Sequence, residues 1–163
     1  MPLLMSVLLT FAMPGEAAPV QTAATQASAS PLLGRWSLDI TTLPFPPDAR
    51  PKRVVMTLRE VDAGHWAAEV EIIARGGVVI RSAGTMPLDG TPSPMQVGVE
   101  ADHVSITLPQ PNMLIMALSK AGTPGTTRIY TLTPGGDAMT ETHVYVAPNG
   151  QLAQRTVTWR RVS

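Results

Sequence analysis

The sequence of 163 residues predicts an all-β fold, an antiparallel up-and-down barrel of about eight to ten strands. Three observations carry the prediction. Run after run alternates apolar and polar residues with the period of two that marks a half-buried strand. The runs are punctuated by 13 glycines and 16 prolines. Nearly every connection is too short for a Greek-key crossover, so a meander is favoured over the alternative, a two-sheet sandwich. A meander of sequential hairpins is best closed on itself, because closure removes both unpaired edges.

The strands run in order along the chain. Residues 36–40 open the fold, with Trp36, Leu38 and Ile40 alternating with Ser37 and Asp39. A long Pro-rich connection leads to a second strand at 53–61. Asp62-Ala63-Gly64 turns the chain into a third, 66–72, where Trp66, Ala68, Val70 and Ile72 share one face and Glu69 and Glu71 the other. Gly76-Gly77 turns it again into a fourth strand at 78–86. Three further runs, 95–100, 103–108 and 113–119, are separated by Ala101-Asp102 and by Pro109-Gln110-Pro111-Asn112. Residues 126–133, 138–147 and 151–162 complete the set through Pro134-Gly135-Gly136-Asp137 and Pro148-Asn149-Gly150.

Composition narrows the function classes. A chain 44% hydrophobic and 15% charged suits one domain with a real core. The formal net charge is zero, so no basic footprint points to nucleic acid or to an anionic membrane. The absence of cysteine excludes disulfides, thiolate catalysis, zinc–thiolate sites and a lipid-anchored cysteine, and no membrane anchor is expected. Residues 1–17 read as a signal peptide: the apolar run at 3–13 has h-region length and Gly15-Glu16-Ala17 offers small residues for cleavage, although no Lys or Arg precedes the run. Residues 18–31, rich in Ala, Thr, Gln, Ser and Pro, read as a disordered spacer, and 32–163 as the barrel. The expected location is secreted or periplasmic.

A closed barrel brings its first and last strands together. Gly34-Arg35-Trp36 opens the first and Trp159-Arg160-Arg161 lies near the end of the last. Trp159 and Arg161 share a face, so an inward Trp159 places the Arg161 guanidinium where it can cover the Trp36 indole and plug one barrel end. Gly34-x-Trp36, a long first loop, a run of hairpins and a terminal basic residue together resemble the lipocalin-like, or calycin, barrels over residues 32–162. The chain ends on its last strand, whereas known lipocalins carry a further helix, and in this it is closer to small bacterial exported domains of that type. The resemblance implies a barrel with a long first loop over its mouth.

Candidate site residues are weighed one face at a time. The apolar faces nominate Trp36, Leu38, Met56, Leu58, Val70, Ile72, Ile106 and Tyr130 for a ligand cavity, with Gly34, Trp36 and Arg161 as structural residues. Phe45, inside Leu43-Pro44-Phe45-Pro46-Pro47-Asp48, is the candidate lid at the mouth. On 139–146 two faces compete. β-branched packing favours Thr140, Thr142, Val144 and Val146 inward; the other choice makes Glu141, His143 and Tyr145 a polar line inside, able to orient a ligand or to hold a haem iron through His143.

Other pairings carry less. Glu69 and Glu71 are expected on a solvated face, as are His103 and Ser105, which have no nucleophile elbow around them. Met113 and Met116 fall on opposite strand faces and cannot chelate copper together. No catalytic residue, metal or cofactor is therefore expected. The reading is a non-enzymatic binding protein for a small apolar or amphipathic ligand held in the barrel. The alternatives are an envelope module that binds a partner protein through its surface, and a barrel enzyme built on Glu141, His143 and Tyr145.

Overall fold

The computed structural model describes residues 29–98 and 100–162. The expected signal peptide, and residues 18–28 of the expected spacer, lie outside the described residues. Ten strands form one antiparallel sheet: β1 Gly34–Leu38, β2 Arg53–Asp62, β3 His65–Ile73, β4 Val79–Pro87, β5 Ser93–Pro94, β6 His103–Gln110, β7 Met113–Lys120, β8 Thr123–Leu132, β9 Ala138–Val146 and β10 Leu152–Val162. Their spatial order is β4-β3-β2-β1-β10-β9-β8-β7-β6-β5, so every neighbour in the sheet is a neighbour in sequence except at the closure of β1 on β10. There Trp36 pairs with Arg161 and Leu38 with Trp159.

The barrel is nearly closed. Its seam lies between β4 and β6, where a ladder is replaced by isolated bridges, Ala83 to Val97 and Asp89 to Thr107. Ala83 N donates to the Val97 carbonyl at 2.8 Å and Gly90 N to the Ile106 carbonyl at 3.0 Å. The strand expected at 95–100 is corrected here. Its alternation reads as a strand, but the ladder with β6 ends at Ser93–Pro94, Gln96 N and Val97 N both turn to the single carbonyl of Ala83, and the chain then folds back so tightly that a Cβ on Gly98 would meet the Ala101 carbonyl oxygen. Beyond Pro94 the chain crosses the seam as an irregular connection, held by Met95 N on the Asp102 carbonyl at 2.8 Å.

The two ends of the barrel differ. One end collects the turns after β2, β6 and β8, and it is filled by Leu32, Trp36, Leu58, Trp66, Met86, Leu114, Tyr130, Leu132 and Met139, all buried. Trp36 is fully buried, and its Nε1 donates to the Leu32 carbonyl at 2.9 Å. The Arg161 guanidinium lies 4.2 Å from the Trp36 ring centroid and donates to the carbonyls of Leu33, Gly136 and Pro31. Gly34, at φ +120°, makes that stack possible: a Cβ there would meet Arg161 Nη1 at 2.9 Å. Residues 30 and 31 belong to the turn that leads into β1, since Leu33 N donates to the Ser30 carbonyl.

Candidate functional site

The opposite end carries the loop between β1 and β2, the turns after β3, β7 and β9, and the connection into β6. A cavity of about 420 Å³ opens there. Its wall is mostly apolar, with Leu38, Val54, Val70, Ile72, Leu118 and Val157 among the lining side chains. Alternation puts these residues inside because their strand neighbours face solvent, as with Glu69 between Ala68 and Val70. Expected cavity residues divide accordingly. Leu38, Phe45, Val70 and Ile72 line it, whereas Trp36, Met56, Leu58, Ile106 and Tyr130 are packed elsewhere in the core and do not reach it. The large side chains concentrate in the other half, which leaves space in this one.

The inward face of β9 is the main correction. Met139, Glu141 and His143 are buried, whereas Thr140, Thr142 and Val144 are partly exposed, the reverse of what β-branched packing favours. Register decides it: β9 pairs Glu141 with Val157 and Met139 with Trp159, whose side chains already point inward. The carboxylate is tolerated because it is partnered. Trp159 Nε1 donates to Glu141 Oε2 at 2.8 Å, and Arg128 Nε stands 3.7 Å from Oε1. Burial nevertheless pushes the Glu141 carboxyl above its ordinary range, against the pull of Arg128 and the Trp159 hydrogen bond.

Arg128 is a site residue that the sequence alone does not nominate. It lies on β8 opposite His143, and its side chain is only 18% exposed. Its Nη2 donates to both carboxylate oxygens of Glu100 at 2.7 Å. The one signal for it in the chain is its place in the alternation with Tyr130 and Leu132, which face the core. Arg155, directly opposite His143 on β10, donates from Nη2 to His143 Nδ1 at 2.9 Å. Its guanidinium also covers the rings of Phe45 and Tyr145, at 5.7 and 5.8 Å from their centroids.

That contact fixes the histidine. A guanidinium only donates, so Nδ1 accepts and the proton sits on Nε2. Nε2 is buried and has no hydrogen-bond partner among the described residues. Burial, then Arg128 and Arg155, bring the His143 pKa down to about 4. Neither nitrogen offers a free lone pair, so this arrangement does not fit a haem iron or a general base. Tyr145 packs edge-on against His143 with ring centroids 5.2 Å apart, and both line a smaller recess beside the cavity together with Thr126 and Arg155. Of the trio, Glu141 lines the main cavity, whereas His143 and Tyr145 open on the recess, so the three do not converge on one space.

At the mouth, Phe45 is 42% exposed. Its loop is tied down by Arg50 Nε on the Phe45 carbonyl at 2.8 Å and by Arg75 on the Pro47 carbonyl. Glu71 pairs with Arg81, and His103 with Asp102, both at the surface. Met113 and Met116 differ in burial, in keeping with opposite faces.

Comparison with solved structures places this architecture. The fluorescent protein UnaG is similar at 9% identity and TM-score 0.52, over 80% of this chain and 97% of its own. Zebrafish ileal bile acid-binding protein, solved complexed with cholic acid, is similar at 14% identity and TM-score 0.51, over 82% of this chain and 100% of its own. The chain folds as a calycin-type β-barrel. At these identities the likeness is one of fold. No family profile matches the sequence, and no curated protein matches it.

Proposed function

We propose that the protein is a non-enzymatic carrier that holds one small apolar or amphipathic molecule in the open half of its barrel and acts outside the cytoplasm. The observation that carries this reading is the cavity of about 420 Å³, apolar along its walls and edged by arginines at Arg50, Arg75, Arg128 and Arg155. Its size lies in the range of small-molecule pockets. An envelope module acting through its surface alone has no use for this space. UnaG and the bile acid-binding protein share the barrel, and the latter was captured with cholic acid. Export rests on the signal-peptide character of residues 1–17.

The test is a titration with the neutral fluorophore N-phenyl-1-naphthylamine. Saturable one-to-one binding that Ile72→Trp removes by filling the cavity, with the unfolding midpoint retained, is the expected result. Absence of binding, or binding indifferent to Ile72→Trp, would refute the carrier. Intact mass of the protein recovered from its own host tests export, the expected chain beginning near residue 18.

A further inference from the structure

We propose that Glu100 is the protein's internal stand-in for the acid group of its ligand, and that the cavity takes amphiphiles carrying one carboxylate-type acid, which exchange with Glu100 on Arg128. This rests on the carrier reading and specifies its ligand. Three observations point to it.

The first is how Glu100 is bound. Both of its oxygens contact the single nitrogen Nη2 of Arg128 at 2.7 Å, and Thr126 Oγ1 donates to Oε1 at 3.4 Å. A carboxylate satisfies a guanidinium best by spanning two nitrogens in a fork. Here the second nitrogen of that edge, Nε, is buried and has no hydrogen-bond partner among the described residues, and the nearest carboxylate oxygen, from Glu141, stands 3.7 Å away. The strongest binding mode of Arg128 is left half used.

The second is where the two partners sit. The Arg128 side chain is 18% exposed and the Glu100 side chain 49%. Glu100 comes from the irregular connection between β5 and β6, outside any strand, whereas Arg128 is fixed in the β8–β9 ladder. Moving Glu100 into water costs little, because its charge is already half solvated. Moving Arg128 breaks a wall of the barrel.

The third is charge. The cavity is lined by Arg50, Arg75, Arg128 and Arg155 against Glu100 and Glu141. Expelling Glu100 removes the carboxylate that Arg128 holds at 2.7 Å and leaves it Glu141 at 3.7 Å, and one incoming acid restores the close contact. A neutral ligand cannot do so, and discriminating against it is what a desolvated guanidinium does well. The aliphatic wall from Val70 and Ile72 to Leu118 and Val157 takes the body of the same molecule.

The experiment displaces N-phenyl-1-naphthylamine with dodecanoate and with dodecanol, which differ in the head group alone, at pH 8. In Glu100→Gln the ratio of dodecanoate to dodecanol affinity is expected to rise about tenfold, because the internal competitor has lost its charge. Glu71→Gln, which alters a surface ion pair away from the cavity, is expected to leave the ratio as in the wild type. Arg128→Lys keeps the charge but deletes the two-nitrogen edge, and is expected to lower the ratio. A ratio unchanged or lowered in Glu100→Gln, or raised equally by Glu71→Gln, overturns the proposal. Dodecanol binding in the wild type keeps the two failures apart: if it persists while the ratio stays flat, the carrier stands and the exchange falls. If neither amphiphile displaces the probe from any variant, the carrier falls and the exchange with it.

Discussion

The two ends of this barrel are made from the same strands and do opposite things. At the closed end the inward residues are Trp36, Leu58, Trp66, Met86, Tyr130 and Met139, fully or almost fully buried, and Arg161 pins three backbone carbonyls from above. At the open end the inward residues include Arg128, Glu141, His143 and Arg155, and exposed apolar side chains gather at the rim: Phe45, Val78, Val79, Val97, Val146 and Leu152. Of the large exposed hydrophobics among the described residues, only Val61 lies at the other end. The difference teaches where each kind of free energy is kept. Packing that resists unfolding is concentrated at one end, and the other is left unfilled, its apolar wall edged by a few charged groups, as a binding site requires.

Mutations break or sharpen this contrast in a definite order. Trp36→Ala, at the closed end, removes a fully buried indole and is expected to cost about 3–5 kcal/mol of stability in a urea titration. A loss under ~1 kcal/mol would mean that this end is not the anchor.

Next comes pH, which acts on the open end. His143 is neutral in the fold with its pKa at about 4, well below the ordinary value of 6.5, so between those limits the unfolded chain binds more protons than the folded one. Stability therefore rises with pH across that window, and is lost as pH falls from 6.5 towards 4. The loss is expected to reach about 1–3 kcal/mol, and His143→Phe should flatten it. Glu141, with its carboxyl raised by burial, acts in the opposite sense, stability falling as pH rises through its folded pKa. Comparing wild type, His143→Phe and Glu141→Gln between pH 4 and pH 7 separates the two contributions.

Arg161→Ala loses the stack on Trp36 and the three carbonyl contacts, and should cost about 1–2 kcal/mol while leaving probe binding at the distant mouth as it was. Weakened binding there would show that the ends are coupled. The smallest stability effect belongs to Phe45→Ala, within about 0.5 kcal/mol, since the ring is 42% exposed. Its consequence should appear instead as about three- to tenfold weaker binding of an apolar probe, read by fluorescence titration. Unchanged affinity would remove Phe45 from the site.

By itself the sequence determined the all-β class, nine of the ten strands to within a few residues and the direction of every hairpin, because period-two alternation and Gly, Pro and Asn turns are local properties. It also placed Trp36 and Arg161 side by side, since closing a meander leaves the first and last strands as neighbours. It misread 95–100, where Gln96 N and Val97 N share one carbonyl of β4 instead of extending a ladder, and it could not choose the inward face of β9. That choice belonged to the tertiary structure. A strand carrying Glu141 and His143 on one side and Thr140, Thr142 and Val144 on the other is locally ambiguous. Only the pairing with Val157 and Trp159, and the arrival of Arg128 and Arg155 from the adjacent strands, made it favourable to bury the charged face. The division of the interior into a packed half and an open half was likewise invisible in the chain, because it depends on how large side chains from ten strands sum at each level of the barrel.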